Sequence, residues 1–135
     1  MSTDSEVQTP DGGHLWAERR GAGTPVVLLH GSGMDSRLWD AVVPELSRHH
    51  DVIRYDACGL GRSTPPERTF DDVEDLRAVL DHFGLDRAAL VGLSMGGETA
   101  LDFTLAHHHL LPDADHYLPL RTPHHLTALL LPHLA

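Results

Sequence analysis

Residues 87–97 read RAALVGLSMGG, and this stretch decides the fold. A buried-type apolar strand runs into Gly92-x-Ser94-x-Gly96, and a helical pattern follows directly. Such a sharp strand-to-helix turn strains the backbone of the serine and lifts its hydroxyl above the sheet edge. We expect glycine at 92 and 96 because side chains there would collide with neighbouring backbone. The pattern predicts Ser94 as a nucleophile, with the N–H of Met95 donating to a developing oxyanion.

Strand and helix patterns alternate around this turn, from residue 25 to residue 107. Apolar runs predict buried strands in PVVLLHG (25–31) and DVIRYDACG (51–59). The apolar stripe of TFDDVEDLRAVLDHFG (69–84) predicts a helix capped by Thr69 and ended by its last glycine. The segment SRLWDAVVPELSRHH (36–50) has a helical pattern, and the helix should kink or restart at Pro44. This alternation implies a parallel sheet with helical crossovers. EVQTPDGGHLWAERRG predicts an N-terminal hairpin.

A second motif, HGSGMDSRLW (30–39), follows the first buried strand. In a parallel sheet this loop and the serine turn both lie at the carboxyl ends of strands, where sites form. An acyl-transfer enzyme needs two N–H donors aimed at the oxyanion. The N–H of Ser32 is the expected partner of the Met95 N–H. His30 could be a catalytic base, but we favour a structural role in which it holds the loop by hydrogen bonds.

The segments VVLLHGSGMDSRLW, VIRYDACGLGRS, LVGLSMGGETALDF and LLPDADHYLPL resemble the α/β-hydrolase family in content and in order. The resemblance implies a truncated α/β-hydrolase fold in one domain over 1–135: a mostly parallel sheet of about six strands, an N-terminal hairpin and flanking helices. It also implies a serine carboxylesterase acting on a small-molecule ester without cofactor or metal. Ser94 would attack, His116 would be the base, and Ser32 and Met95 would form the oxyanion hole. Asp56, in the second segment, is structural in the family.

The resemblance breaks between the nucleophile helix and the histidine loop. The family places further strands, helices and the triad acid there, whereas this chain passes from ALDFTLAHH almost directly to LLPDADH. The acid is left open between Asp113, Asp115, a carboxylate from another subunit, and a Ser–His dyad without one. Asp102 is too far along the nucleophile helix. The alternative function is a catalytically weak or inactive remnant that acts as an oligomerising or binding protein.

The C-terminal pattern predicts a brief strand in HLLP (109–112), a loop, and a final helix in TPHHLTALLLPHLA (122–135) capped by Thr122. HLLP could move in beside AALVGL, the nucleophile strand. A sheet shortened in this way would expose an edge and apolar helix surface. We therefore expect a homo-oligomer, formed by edge pairing or by exchange of the C-terminal segment. Without a cap the pocket should be shallow, which favours small, unselective acyl esters.

Charge and composition exclude several function classes. The 135-residue chain carries a formal net charge of −10, which argues against a nucleic-acid partner and against an anionic membrane surface. The N-terminus has no basic start or apolar segment, so we expect a cytoplasmic protein. Cys58 is the single cysteine, which excludes an intrachain disulfide, and no motif provides it with a base. Histidines 107–109 are adjacent and share no helix face, so we predict no metal site there, even with His124, His125 or His133.

Overall fold

One mixed sheet organises the part of the chain that the computed structural model describes, namely residues 2–65, 70–106, 120–121 and 126–131. Seven strands lie in that part: β1 (Ser2–Gln8), β2 (His14–Gly21), β3 (Thr24–Leu29), β4 (His50–Tyr55), β5 (Ala88–Leu93), β6 (Leu120–Arg121) and β7 (Leu126–Leu131). The helices there are a 3₁₀ helix (Ser36–Trp39), α1 (Val43–Leu46), α2 (Asp72–His82) and α3 (Met95–Ala106). Across the sheet the strand order is β1-β2-β4-β3-β5-β7-β6.

The centre of the sheet is parallel. β3 pairs with β4 on one side and with β5 on the other, so Val27 lies opposite both Ile53 and Leu90. All three side chains are fully buried, as predicted for these apolar runs. β1 and β2 form the predicted N-terminal hairpin, and β2 continues antiparallel onto β4. The predicted alternation of strands and helices is therefore confirmed as far as Ala106.

Helices cover both faces of the central strands. α2 and α3 pack on one face, where Leu76, Val79 and Phe103 are almost completely buried. The 3₁₀ helix and α1 pack on the other face through Trp39 and Val43. Burying side chains of this kind stabilises the fold by roughly 1.5–3 kcal/mol each. The two packed layers hold the carboxyl ends of β3, β4 and β5 at one edge of the sheet.

Local signals set the ends of the helices. Pro44 lies in the first turn of α1 and separates it from the 3₁₀ helix, as predicted. The cap of α2 corrects the prediction: the Asp71 carboxylate, not Thr69, accepts from the N–H of Val73 at 2.9 Å. A carboxylate at this position both caps the helix and suits its dipole. Thr69 lies outside the described residues. Gly84, with φ 65°, follows the helix as expected.

The C-terminal segment contradicts the sequence prediction. In place of the helix expected over 122–135, Leu126–Leu131 forms β7, antiparallel to β5, with its first residue opposite Leu93. A short apolar run fits a buried strand or a helix equally well by pattern, and Pro132 in the sequence interrupts helical hydrogen bonding. This segment forms a strand because, without it, β5 would have a row of backbone donors and acceptors without partners.

This pairing also changes the neighbour of the nucleophile strand. β7 covers the edge of β5 that we expected either to be exposed or to accept HLLP, and β6 pairs in turn with β7. The predicted strand at 109–112 and the predicted cap Thr122 lie outside the described residues. β7 thus lies beside β5 on the side opposite β3.

Candidate active site

Ser94 occupies a strained turn between β5 and α3. Its φ is 53°, and it is the one non-glycine residue with positive φ in the described part of the chain. The left-handed region costs an L-residue roughly 1–2 kcal/mol, so packing on both sides of the turn must enforce it. Ser94 is exposed to solvent, whereas Gly92 and Gly96 beside it are buried. The predicted strand-to-helix turn is confirmed.

Two close backbone approaches enforce the turn. A Cβ on Gly92 would lie 2.4 Å from the carbonyl carbon and oxygen of Gly96. A Cβ on Gly96 would lie 2.3 Å from the carbonyl oxygen of Leu29 and 2.6 Å from that of His30. Any other residue at either position would push α3 away from the ends of β3 and β5. The expectation that both glycines are required is therefore confirmed by the geometry.

The first turn of α3 presents donors beside Ser94. The helix begins at Met95, and its first intrahelical bond runs from the N–H of Glu98 to the carbonyl oxygen of Ser94 at 3.0 Å. The N–H groups that precede Glu98 have no acceptor within the helix. They lie at the positive end of the helix dipole, which favours negative charge. The Met95 N–H is therefore suited to the oxyanion role predicted for it.

The loop after β3 lies against the serine turn. Leu29 pairs with Gly92 across the β3–β5 ladder, and the N–H of Met34 closes a turn onto the carbonyl oxygen of Gly31 at 3.2 Å. Ser32 is the second residue of this turn, and its N–H is not the one used to close it. The residue is exposed. Ser32 and Met95 are thus brought to adjoining segments at one edge of the sheet.

His30 holds this loop from below. The residue is only 2% exposed, and its Nε2 accepts from the N–H of Ala57 at 2.9 Å. An accepting Nε2 leaves the ring proton on Nδ1, which lies 2.8 Å from the carbonyl oxygen of Gly31 and donates to it. Both nitrogens are therefore used in joining the β3 loop to the β4 loop. The structural role favoured for His30 is confirmed, and it has no free nitrogen with which to serve Ser94.

The Asp56 carboxylate also joins the loops that follow β3 and β4 by hydrogen bonds. It is completely buried and accepts from the N–H groups of Ser36 at 2.8 Å and Arg62 at 2.9 Å, and from the Arg62 guanidinium at 3.0 Å. Burial alone would raise its pKa, but the hydrogen bonds from Ser36 and Arg62 outweigh burial and hold the pKa below its usual value. The Arg62 guanidinium also stacks on the ring of Trp16. Asp56 is thus structural, as the resemblance implies.

A small, mostly apolar pocket that the sequence analysis did not predict lies between the first turns of α2 and α3. It is open at one side, has a volume of about 10 Å³, and is lined in part by Met95, Thr99, Cys58, Asp72 and Asp75. Burial, followed by nearby carboxylates, raises the pKa of the Cys58 thiol to about 11, so it stays protonated and is not a nucleophile. A signal for the pocket was present, because residues 72, 75, 76 and 79 share one helical face.

Most of the remaining predicted residues lie outside the part of the chain that the structure describes. His116, Asp113 and Asp115 lie outside the described residues, as do the histidines at 107–109, 124, 125 and 133. Asp102 is exposed on α3, two turns beyond Ser94. Within residues 2–65 and 70–106, no three His, Cys, Asp or Glu side chains are grouped so that they could hold a metal ion. The structure therefore brings together Ser94, Met95 and the Ser32 loop.

The strained serine lies between a buried strand and a helix, beside the loop that follows β3. The sequence profile of the α/β-hydrolase fold matches residues 24–116. This chain belongs to the α/β-hydrolase family. The match covers every strand and helix that builds the candidate site.

Individual members of the family are similar to this α/β-hydrolase. A 2-hydroxy-6-oxo-2,4-heptadienoate hydrolase of Pseudomonas putida is 44% identical over 96 residues, which are 66% of this chain and 35% of the relative. A soluble epoxide hydrolase of a Corynebacterium species is 37% identical over 86 residues, 62% of this chain and 30% of the relative. An esterase of Exiguobacterium antarcticum, of known structure, is 30% identical with a TM-score of 0.73, over 78% of this chain and 41% of the esterase.

This α/β-hydrolase spans only about a third of the length of these curated relatives. The stretch that matches the family, residues 24–116, contains the serine turn and the loop after β3. No helix in the described part of the chain is long and apolar enough to cross a bilayer. These relatives are themselves a hydrolase, an epoxide hydrolase and an esterase.

Proposed function

We propose that this α/β-hydrolase is a carboxylic ester hydrolase that acts on small acyl esters through Ser94. The observation that carries the proposal is the strained, solvent-facing serine at the junction of β5 and α3. Holding a serine in the left-handed region lowers the stability of the fold, and such strain is concentrated at functional sites. A serine that only capped α3 would adopt extended backbone at no comparable cost.

The chemistry follows from the groups around the turn. The Ser94 oxygen attacks the acyl carbon while His116 takes the serine proton, and the carbonyl oxygen becomes an oxyanion held by the N–H groups of Ser32 and Met95. His116 then gives its proton to the leaving alcohol, which leaves an acyl-serine. Water hydrolyses that ester by the same steps and restores Ser94. Each oxyanion donor of this kind is worth on the order of 10²–10³ in kcat.

The nucleophile separates this proposal from other chemistries in the family. Epoxide hydrolase and dehalogenase reactions call for an aspartate at the nucleophile position, where this chain has Ser94. The likeness to the Exiguobacterium esterase supports ester hydrolysis. The similarity to the Pseudomonas putida hydrolase favours a second candidate, a 2-hydroxy-6-oxo-dienoate substrate, which the same serine and oxyanion donors would serve. Ester and dienoate substrates should therefore be assayed side by side.

The triad acid stays open between Asp113, Asp115, a carboxylate of another subunit, and a dyad without an acid. Loss of the acid lowers turnover but leaves the oxyanion hole working. The competing reading is an inactive remnant that binds or oligomerises. Self-association is part of our proposal, and light scattering at micromolar concentration tests it: a stable monomer contradicts it. A cytoplasmic location likewise remains a prediction.

Covalent labelling tests the function without requiring the natural substrate. We expect a fluorophosphonate to form one adduct on Ser94, and the protein to hydrolyse p-nitrophenyl acetate or butyrate. Ser94→Ala should abolish both, and His116→Ala should strongly reduce them. Ser47→Ala, which changes a serine at the end of α1, is the matched control and should leave both unchanged. Absence of labelling and turnover in the folded protein, or activity retained by Ser94→Ala, rejects the proposal in favour of the remnant.

A further inference from the structure

Asp75 is a buried carboxyl without a complete set of hydrogen bonds. It lies in the first turn of α2, is only 4% exposed, and its Oδ2 has no hydrogen-bond partner among the residues that the structure describes. Leaving a buried polar atom unpaired is costly, so a group of this kind calls for an explanation. Its carboxyl lines the pocket that is shared with Met95 and Gly96, the first two residues of α3. Asp75 therefore lies in the same pocket as Met95, the residue proposed as an oxyanion donor.

The surroundings of Asp75 oppose a negative charge. Its own helix contributes Asp71, Asp72 and Glu74, and Asp11 approaches from the turn of the β1–β2 hairpin. Burial, followed by Asp11 and Asp72, raises the pKa of Asp75 to about 7.

The remaining pocket walls do not offset that charge. β4 and its loop contribute the Tyr55 hydroxyl and the Cys58 thiol, whose pKa values burial raises, so both stay neutral. Among the described residues that line the pocket, His30 is the one basic side chain, and both its nitrogens are already bonded.

We propose that Asp75 is a positioning residue for the oxyanion turn, which it supports as a neutral carboxylic acid and weakens when it ionises. The inference rests on the proposed ester hydrolysis. A carboxylate at Asp75 would place a negative charge in the pocket that Met95 also lines, and this charge would oppose the oxyanion that the proposed reaction develops at the Met95 N–H. A neutral carboxyl adds no such charge. No proton passes between Asp75 and the substrate, so its role is to keep the field at the Met95 N–H favourable.

The pH profile of ester hydrolysis distinguishes this role from a merely structural one. We expect kcat/KM of the wild type to rise as the base loses its proton and then to fall roughly tenfold as Asp75 ionises around pH 7 to 8, with Ser94→Ala giving the blank. Asp75→Asn should remove the alkaline fall, because an amide of the same shape cannot ionise. Asp75→Glu should restore it. Asp81→Asn, near the exposed end of the same helix, is the matched control and should keep the wild-type fall.

A second variant covers the case in which Asp75→Asn does not fold. Asp72→Asn removes a like charge that faces Asp75, so the alkaline fall should move to lower pH. An unchanged alkaline limb in Asp75→Asn, or an unmoved one in Asp72→Asn, overturns the proposal while ester hydrolysis stands.

An inactive wild type rejects the proposed function, and the positioning role falls with it. In that case ¹³C NMR of the Asp75 carboxyl still reports whether it titrates near pH 7. The two failures are therefore distinguishable.

Discussion

Gly96 lies against the carbonyl oxygen of Leu29 so closely that a Cβ on the glycine would come within 2.3 Å of that oxygen. The contact joins the first turn of α3 to the end of β3, and with it the serine turn to the loop that carries Ser32. Neither backbone can retreat, because Leu29 is hydrogen-bonded in the ladder with β5 and Gly96 belongs to a helix. The candidate site therefore depends on a distance between two main chains.

Gly96→Ala should destabilise the protein by about 3 kcal/mol or more, because the added methyl must displace backbone. The measurement is the free energy of unfolding in urea. Gly84→Ala is the control, since its φ of 65° strains an alanine but nothing lies within 4 Å of the added carbon. We expect that control to lose only about 1 kcal/mol. Equal losses in the two variants would show that the close approach to Leu29 is not a constraint.

Ser94→Gly should be more stable than Ser94→Ala by about 1 kcal/mol, because glycine adopts a φ of 53° without strain and alanine does not. Urea denaturation of both variants measures the difference. Both variants should lose the fluorophosphonate adduct, so the difference in stability between them can be told apart from the loss of labelling that they share. If Ser94→Ala proves the more stable of the two, the strain assigned to the turn is absent.

Asp75 should make stability fall with rising pH. Its folded pKa of about 7 lies above the unfolded value of about 3.9, so its contribution is fully present below pH 4 and is lost as pH rises through 7. Over that window the slope reaches at most about 1.4 kcal/mol per pH unit. Urea unfolding of the wild type and Asp75→Asn from pH 4 to pH 8 measures the difference. A constant difference between them across that window would contradict the prediction.

Asp56→Asn should cost about 2–3 kcal/mol, because the buried carboxylate accepts two backbone N–H groups and the Arg62 guanidinium. Its folded pKa is lowered, so this contribution is present at neutral pH and is lost as pH falls below about 4. Asp81→Asn, which breaks an exposed pair with Arg77, should cost less than about 1 kcal/mol. Thermal unfolding at pH 7 compares them. Similar costs would mean that Asp56 does not organise the loops.

Local patterns predicted the elements that local physics controls. The Gly-x-Ser-x-Gly turn, the PDGG hairpin and the buried strands each carry their own signal, and the loop-holding role of His30 followed from its place after a strand. The cap of α2 was misplaced from Asp71 to Thr69 because both residue types cap helices and only the backbone path selects one. Asp75 was not predicted because an acidic residue in the first turn of a helix is also favoured by the helix dipole, whether or not it is buried.

The serine turn could be predicted from residues 87–97 alone, because an apolar strand, two glycines and a helix pattern follow one another within eleven residues. Other features depend on contacts between distant segments. Leu126–Leu131 forms a strand because it pairs with the edge of β5. The pattern of these six residues alone does not show that a distant strand is available for pairing. The pKa of Asp75 is raised because the fold buries it in a pocket against α3 and brings the charge of Asp11 near it. Burial and backbone pairing depend on which segments meet, and only the folded chain brings them together.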